Sequence, residues 1–328
     1  GHFRFDAVSM WSLVGVFVVV AIPGWRDMPW RQFVITVTSE LEAIRFDRGL
    51  LFLWLAVILI GLSSIVQGLA PPNDYDSLLY HLSLPQHELE SGRLGVPWDR
   101  RVLNMFFPKM AGDFTRLNLA TLGAGAAQMM LGIFGLIAAA AAAAIACRLQ
   151  LSKYVALTTC IFFLSIRAVV WEMATVEVDV ALATFCCLGV LAYIIWREGG
   201  EIGLGIVFGL IAGGSILVKL YGFPVTASFA PLMLYDLFKG RIRFFTMSVA
   251  PLVALVVILP HLINMYVLTG NPLFPAANQL FNPGKPTFFA SQTSAFGTGR
   301  SLDALFLGPW HIFVSPMDYF DGMIFGAP

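Results

Sequence analysis

From Leu50 to Leu69 the chain runs through 20 residues without a charged side chain. A helix of that length rises about 30 Å, which matches the hydrocarbon thickness of a bilayer. Inside lipid every backbone N–H and C=O must find a partner within the protein, so a spanning segment is a helix or part of a closed barrel. The run is continuous and does not alternate with polar residues, which selects the helix. Similar runs lie near 8–23, 117–147, 154–171, 178–196, 202–218, 224–238 and 244–268. The pattern predicts an all-α integral membrane bundle of about eight transmembrane helices. The third run is longer than a bilayer needs, and the seventh is short.

Composition agrees, since only 12% of residues are charged against about 25% in soluble domains. The balance of 20 basic and 20 acidic residues leaves no net charge, which argues against a nucleic-acid partner. Cys147, Cys160, Cys186 and Cys187 lie in apolar stretches without CxxC spacing, and read as inert buried thiols. No GxxxxGK[ST] loop is present, so an ATP-driven pump is not indicated. The Gly205, Gly209, Gly213 series reads as close helix packing. A first residue of Gly and a final Phe325-Gly326-Ala327-Pro328 suggest a piece of a longer chain.

Charge sets the orientation. Arg26, Arg31, Arg45 and Arg48, then Arg148 and Lys153, then Arg197, then Lys239, Arg241 and Arg243 fall on alternate connections. The positive-inside rule makes these cytoplasmic. Asp74, Asp76, His81, Glu172, Glu177, Asp179, Lys219, Tyr221 and the Gly270-Asn271-Pro272 turn then share the opposite face.

The stretch Pro71-Pro72-Asn73-Asp74-Tyr75-Asp76-Ser77-Leu78-Leu79-Tyr80-His81 follows the apolar run at 50–69 with charge. Asp74 or Asp76 can cap a short interfacial helix starting near Ser77, with Tyr80 one turn after Asp76. Leu78, Leu79, Leu82 and Leu84 would then meet the membrane surface. Capping needs one carboxylate, and the second, with His81, points to a functional site. Glu177 and Asp179 lie two apart before the span at 178–196 and so point to different faces. Asp179 is the better candidate for the cavity, against a simple role at the helix dipole. Lys219, beside Tyr221, either snorkels or meets a phosphate as a point charge. Arg100 and Arg101 are competing phosphate ligands.

The order of these pieces resembles a known family. Asp74-Tyr75-Asp76-Ser77-Leu78-Leu79-Tyr80-His81-Leu82-Ser83-Leu84-Pro85 follows a span, and Phe106-Phe107-Pro108 precedes the next. Val178-Asp179-Val180-Ala181-Leu182-Ala183 opens one, Lys219-Leu220-Tyr221-Gly222 closes one, and Thr269-Gly270-Asn271-Pro272-Leu273-Phe274-Pro275 follows the last. Over about 50–282 this resembles bacterial members of the GT-C glycosyltransferase superfamily, related to protein O-mannosyltransferases and lipid A aminoarabinose transferases. The resemblance implies transfer of a sugar from a polyprenyl-phosphate donor at the non-cytoplasmic face of a bacterial inner membrane. It also implies that Asp74 or Asp76 serves as catalytic base or as ligand to a divalent metal. Glu177, Asp179, His81, Lys219, Tyr221, Arg100 and Arg101 would line the donor headgroup. Two features depart from the family: a span at 8–23 ahead of its first helix, and no later spans or C-terminal domain.

The expected organisation is therefore an extra N-terminal helix and cytoplasmic connection over 1–49, a core over 50–282, and a non-cytoplasmic segment over 283–328. Partners on this reading are membrane lipids, the polyprenyl-phosphate sugar and further membrane subunits. A second reading is a non-catalytic subunit of a larger membrane complex that keeps the transferase fold. A transporter is disfavoured, because the ionisable residues gather at one face and not near mid-membrane.

Overall fold

The computed structural model describes residues 47–92, 106–108, 110–274 and 276–283, and singly 303, 307, 310 and 314. The expected span at 8–23 and nearly all of 283–328 lie outside the described residues. The chain divides into two compact units, Gly1–Asp99 with Phe107–Leu259, and Arg100–Phe106 with Pro260–Pro328.

Regular structure among the described residues is helical throughout. In chain order the helices are α1 (Arg48–Gln67), a π-helical turn (Ser77–His81), α2 (Ser83–Ser91), α3 (Met110–Thr121) and α4 (Ala124–Arg148). There follow α5 (Lys153–Ser165), α6 (Arg167–Glu172), α7 (Asp179–Gly199), α8 (Ile202–Val218), α9 (Gly222–Ala227), α10 (Ala230–Phe238), α11 (Phe244–Thr269) and α12 (Asn278–Phe281). Among the described residues four helices, α1, α4, α7 and α11, are long and apolar enough to cross a membrane. Their exposed surface is greasy: Phe52, Leu59, Leu252 and Val256 are all well exposed, as a lipid-facing surface requires. This is a membrane protein.

Three apolar runs that read as continuous are broken. The run at 117–147 divides between α3 and α4 at Gly123, whose φ of 90° is open to Gly and costly for other residues. The N–H groups of Leu122 and Gly123 both turn back to the Asn118 carbonyl, at 2.7 and 2.8 Å, closing α3. The run at 154–171 breaks at Ile166, which is extended between α5 and α6. The run at 224–238 becomes the short helices α9 and α10.

Small residues bring the long helices close, as packing in lipid requires. A Cβ on Gly135 of α4 would lie 2.5 Å from Met173 Sδ. A Cβ on Gly209 of α8 would lie 2.5 Å from the Ala250 carbonyl of α11, and one on Gly213 would lie 2.7 Å from Val257. The glycine series is therefore a packing seam.

Helix direction places the polar residues at two ends of the first unit. Gln128, in the first turns of α4, donates from Nε2 to the carbonyls of Gly68 and Ala70, both at 2.7 Å. So α4 starts where α1 stops. α5 and α6 return to that end, α7 leaves it, and α8 comes back to finish at Lys219. At the opposite end Tyr154 donates to Asp47 at 2.6 Å, and Arg148 meets Glu198 at 3.0 Å. There too Asp236, fully buried, takes Arg197 and Arg241 at 3.1 and 3.0 Å. Basic residues mark one end and the acidic cluster the other.

Candidate functional site

Each polar element of the cluster is fixed by an apolar neighbour in sequence. Leu82, Val176, Val178 and Val218 belong to one buried cluster with Ala111, Ala127, Leu131 and Ala181. Leu82 follows His81, Val176 and Val178 flank Glu177, and Val218 precedes Lys219. Packing these four side chains together carries His81, Glu177 and Lys219 to the same place.

The acidic stretch is held by three further contacts. Asp74 Oδ2 accepts the Ser77 N–H at 2.8 Å, a side-chain cap on the first turn. Ser77 is fully buried, and its Oγ accepts the Val176 N–H at 3.1 Å across 99 residues. The Tyr80 hydroxyl donates to Asp76 Oδ2 at 3.1 Å, one turn on. Asp74 is thus the cap, and Asp76 is a half-buried carboxylate oriented by a phenol. The expectation of a leucine-lined surface helix fails. Leu82 and Leu84 are buried while Leu78 is exposed. The wide π turn at Ser77–His81 shifts the angular register, so the four leucines do not share a face.

His81 stacks beside Tyr80 with ring centroids 4.1 Å apart. Its Nε2 is 3.6 Å from Glu177 Oε2 and has no hydrogen-bond partner. Burial above all lowers its pKa to about 4, and Lys219 acts the same way, against the opposing pull of Asp76, Asp74 and Asp179. It is therefore neutral at physiological pH.

Glu177 and Asp179 both enter the polar cluster, one beside His81 and the other on Lys219. Glu177 takes the buried position, with 10% of its side chain exposed. Burial, then the charges of Asp76 and Asp74, push it up to about 8. Asp179 has a side chain 45% exposed and pairs with Lys219 Nζ at 2.5 Å. Lys219 Nζ also lies 5.7 Å from the Tyr221 ring centroid, within cation–π range. Sequence reasoning favoured Asp179 for the interior. Helical spacing could not rank the two, because Glu177 sits in the irregular turn before α7.

Glu172, which no motif marks as a site member, joins the cluster. Its Oε2 accepts the Val180 N–H at 2.8 Å, and burial, then the charge of Asp179, raises it to about 8. An acidic residue shortly before an apolar run is the signal that could have marked it.

Arg100 and Arg101 lie outside the described residues. The turn after α11 belongs to the second unit. There Asn271 is fully buried, donates from Nδ2 to the Ala276 carbonyl at 2.9 Å and accepts the Leu273 N–H at 2.9 Å, a structural tie within its own loop. In the same unit Phe106 packs edge-on against Phe274, centroids 5.2 Å apart.

Asp74 and Asp76 turn their Oδ2 atoms to different donors, Ser77 N–H and Tyr80 O–H. Among the described residues no group of three His, Cys, Asp or Glu could hold a metal ion. What the arrangement offers is a half-buried carboxylate held by a phenol, a cation held by one carboxylate, and the buried Glu177 beside His81. Set against known proteins, the chain matches no family model, no curated protein and no solved structure.

Proposed function

We propose that the chain is a membrane glycosyltransferase of GT-C type, crossing a bacterial inner membrane about eight times. On this reading it takes sugar from a polyprenyl-phosphate donor at the non-cytoplasmic face. One observation supports this most. Asp76 is oriented by Tyr80, His81 meets Glu177, and Lys219 is held by Asp179 two residues on, so a base and a cation share one end of the helices.

Inverting transfer needs a carboxylate to remove the acceptor hydroxyl's proton and a positive group to stabilise the departing phosphate. Asp76 has the first role and Lys219 the second. Positive-inside counting puts this end outside, because the connections at the other end carry Arg148, Lys153, Arg197 and Arg241. The motif order in the sequence points to the same class.

The test is transfer by purified protein in lipid nanodiscs, across a panel of polyprenyl-phosphate sugars. Asp76→Asn keeps shape but loses basicity, and should slow transfer about 10²–10⁴-fold; Asp74→Asn should be milder, since Asp74 serves as a cap. Equal rates in both variants and parent, or no transfer by the parent with any donor, would replace this reading with a non-catalytic subunit.

A further inference from the structure

Asp236, near the end of α10, is fully buried and has three donors. The Tyr193 hydroxyl donates to its Oδ2 at 2.6 Å. Its Oδ1 takes Arg197 Nη2 at 3.1 Å and Arg241 Nη1 at 3.0 Å. One negative charge thus holds two guanidiniums. Each guanidinium has five N–H donors, and Asp236 engages one of each. Both side chains stay open to the outside, at 36% and 46% exposure.

The turn after α10 adds two more cations on a fixed backbone. Gly240 takes a left-handed φ of 67°. The Arg241 N–H returns to the Asp236 carbonyl at 2.9 Å, and the Gly240 N–H to that of Leu237 at 2.9 Å. This is the Schellman closure of a helix, and Ile242, fully buried, anchors it. Lys239 Nζ and Arg241 Cζ lie 5.7 and 5.9 Å from the Tyr235 ring centroid, within cation–π range. Lys239 and Arg243 are exposed. Nearby acids do not cancel this charge. Glu198 is paired with Arg148 at 3.0 Å. Glu201 is exposed beside Gly200, whose Cβ would lie 3.3 Å from the Arg241 carbonyl. Arg197, Lys239, Arg241 and Arg243 therefore stand against two carboxylates, Asp236 and Glu201.

The level of the patch selects the anion. α11, long and apolar enough to cross a membrane, begins at Phe244, so Arg241 and Arg243 lie just before the chain enters hydrocarbon. Phe238, Phe244 and Phe245 flank the basic turn and are 84%, 68% and 70% exposed. Cations beside bare phenyl rings suit a ligand with a phosphate at one end and hydrocarbon at the other. A soluble phosphate would use the cations and leave the rings without a partner.

We infer that the turn between α10 and α11 is a binding site for the headgroup of an anionic phospholipid. The phosphodiester takes N–H donors of Arg197 and Arg241 that Asp236 does not use, as a charge-assisted contact. Lys239 and Arg243 supply further positive charge, and the acyl chains lie along the exposed phenylalanines. Asp236 preorganises the two guanidiniums, which lowers the cost of ordering them on binding. A zwitterionic lipid carries its own cation and gains less. The site lies at the end opposite the acidic cluster and is independent of the reaction proposed there.

The test uses the whole chain in detergent, with native mass spectrometry as readout. The probes are dioleoyl-phosphatidylglycerol, dioleoyl-phosphatidylcholine and inorganic phosphate. Phosphatidylglycerol should stay bound where phosphatidylcholine does not, and excess inorganic phosphate should fail to displace it. Lys239→Gln with Arg243→Gln removes two charges that do not hold Asp236, so this protein should melt with the parent. Each Lys or Arg near a membrane surface contributes roughly 5-fold, so the double variant should bind phosphatidylglycerol about 25-fold more weakly. Arg48→Gln with Lys153→Gln, on α1 and α5 at the same end, removes equal charge elsewhere and should bind like the parent. Equal retention of the two phospholipids overturns the inference. So does displacement by inorganic phosphate, or a loss in the first double variant no greater than in the second.

Discussion

The Glu172 carboxylate accepts the backbone N–H of Val180 at 2.8 Å, so the N-terminus of α7 is served by a side chain from the preceding helix. A carboxyl oxygen that accepts a free N–H of the first turn serves the helix start whether or not the group is charged. With Glu172 in that role, Asp179 is released to hold Lys219 at 2.5 Å. The two carboxylates divide work that the sequence alone would assign to one.

That division makes a charge prediction. The Asp179–Lys219 pair is 45% and 30% exposed, and such pairs contribute about 0–1 kcal/mol. Lys219→Gln should therefore barely move the melting temperature. If Lys219 takes phosphate, losing a charge-assisted hydrogen bond of about 1.5–3 kcal/mol weakens binding of a polyprenyl phosphate roughly 10- to 100-fold. Asp179→Asn, which frees the cation, should leave that binding equal or tighter. Weakening by both variants would mean that the pair, and not the lysine, is what the ligand needs.

Stability should fall with pH on the neutral side. Glu172 rises from 4.5 to about 8 on folding, so the native state binds a proton that the unfolded chain has released. Its contribution is complete below 4.5 and disappears as pH climbs through about 8. His81 has the opposite sign: its pKa drops from 6.5 to about 4, so its contribution is present above 6.5 and lost on acidification. Above 6.5 His81 is neutral in both states and only the raised carboxyls act. The melting temperature should decline from about pH 6.5 to about pH 8, and Glu172→Gln should flatten the decline. A melting curve that rises over this interval in the parent would contradict the sign.

Gln128 is the joint between α1 and α4. Its Nε2 serves two carbonyls, Gly68 and Ala70, in a buried site. Gln128→Leu leaves the carbonyl of buried Gly68 without that donor, at about 1–3 kcal/mol, while the carbonyl of exposed Ala70 can turn to solvent. Thermal unfolding in detergent should show a loss of several degrees. A loss no greater than that of an exposed variant such as Gln86→Leu would show that water replaces the amide.

The seam between α8 and α11 makes the last prediction. At Gly209 any side chain meets the Ala250 carbonyl, with a Cβ only 2.5 Å away. Gly209→Val must push the helices apart, and overpacking of this kind costs about 1–3 kcal/mol or more. Gly203, whose Cβ would meet open space, is the control, and Gly203→Val should melt near the parent.

The sequence reported the apolar segments well and their interruptions poorly. Hydropathy carries straight across Leu122, Ile166 and Phe229 because those residues are themselves apolar. The breaks come from backbone conformation, at Gly123 most clearly, which a window average does not register. The Asp76–Tyr80 pair was legible because it is local and spaced by one turn. Glu177 against His81, at 3.6 Å, was not, since their meeting depends on Leu82, Val176 and Val178 packing together from distant segments. The place of Glu172 was equally hidden, its partner Val180 lying in the next helix.

Two of the helices that run toward the polar cluster are short. α5 has 13 residues and α8 has 17, which rise about 20 and 26 Å, while α4, of 25 residues, rises about 37 Å. The hydrocarbon layer is about 30 Å deep. If α8 starts at one face of that layer, its end at Lys219 falls about 4 Å short of the other, which a bilayer accommodates by thinning into a local dent. A ligand anchored by its own hydrocarbon tail can slide into such a dent sideways from the lipid. A freely soluble ligand would have to descend from the water through the headgroup layer.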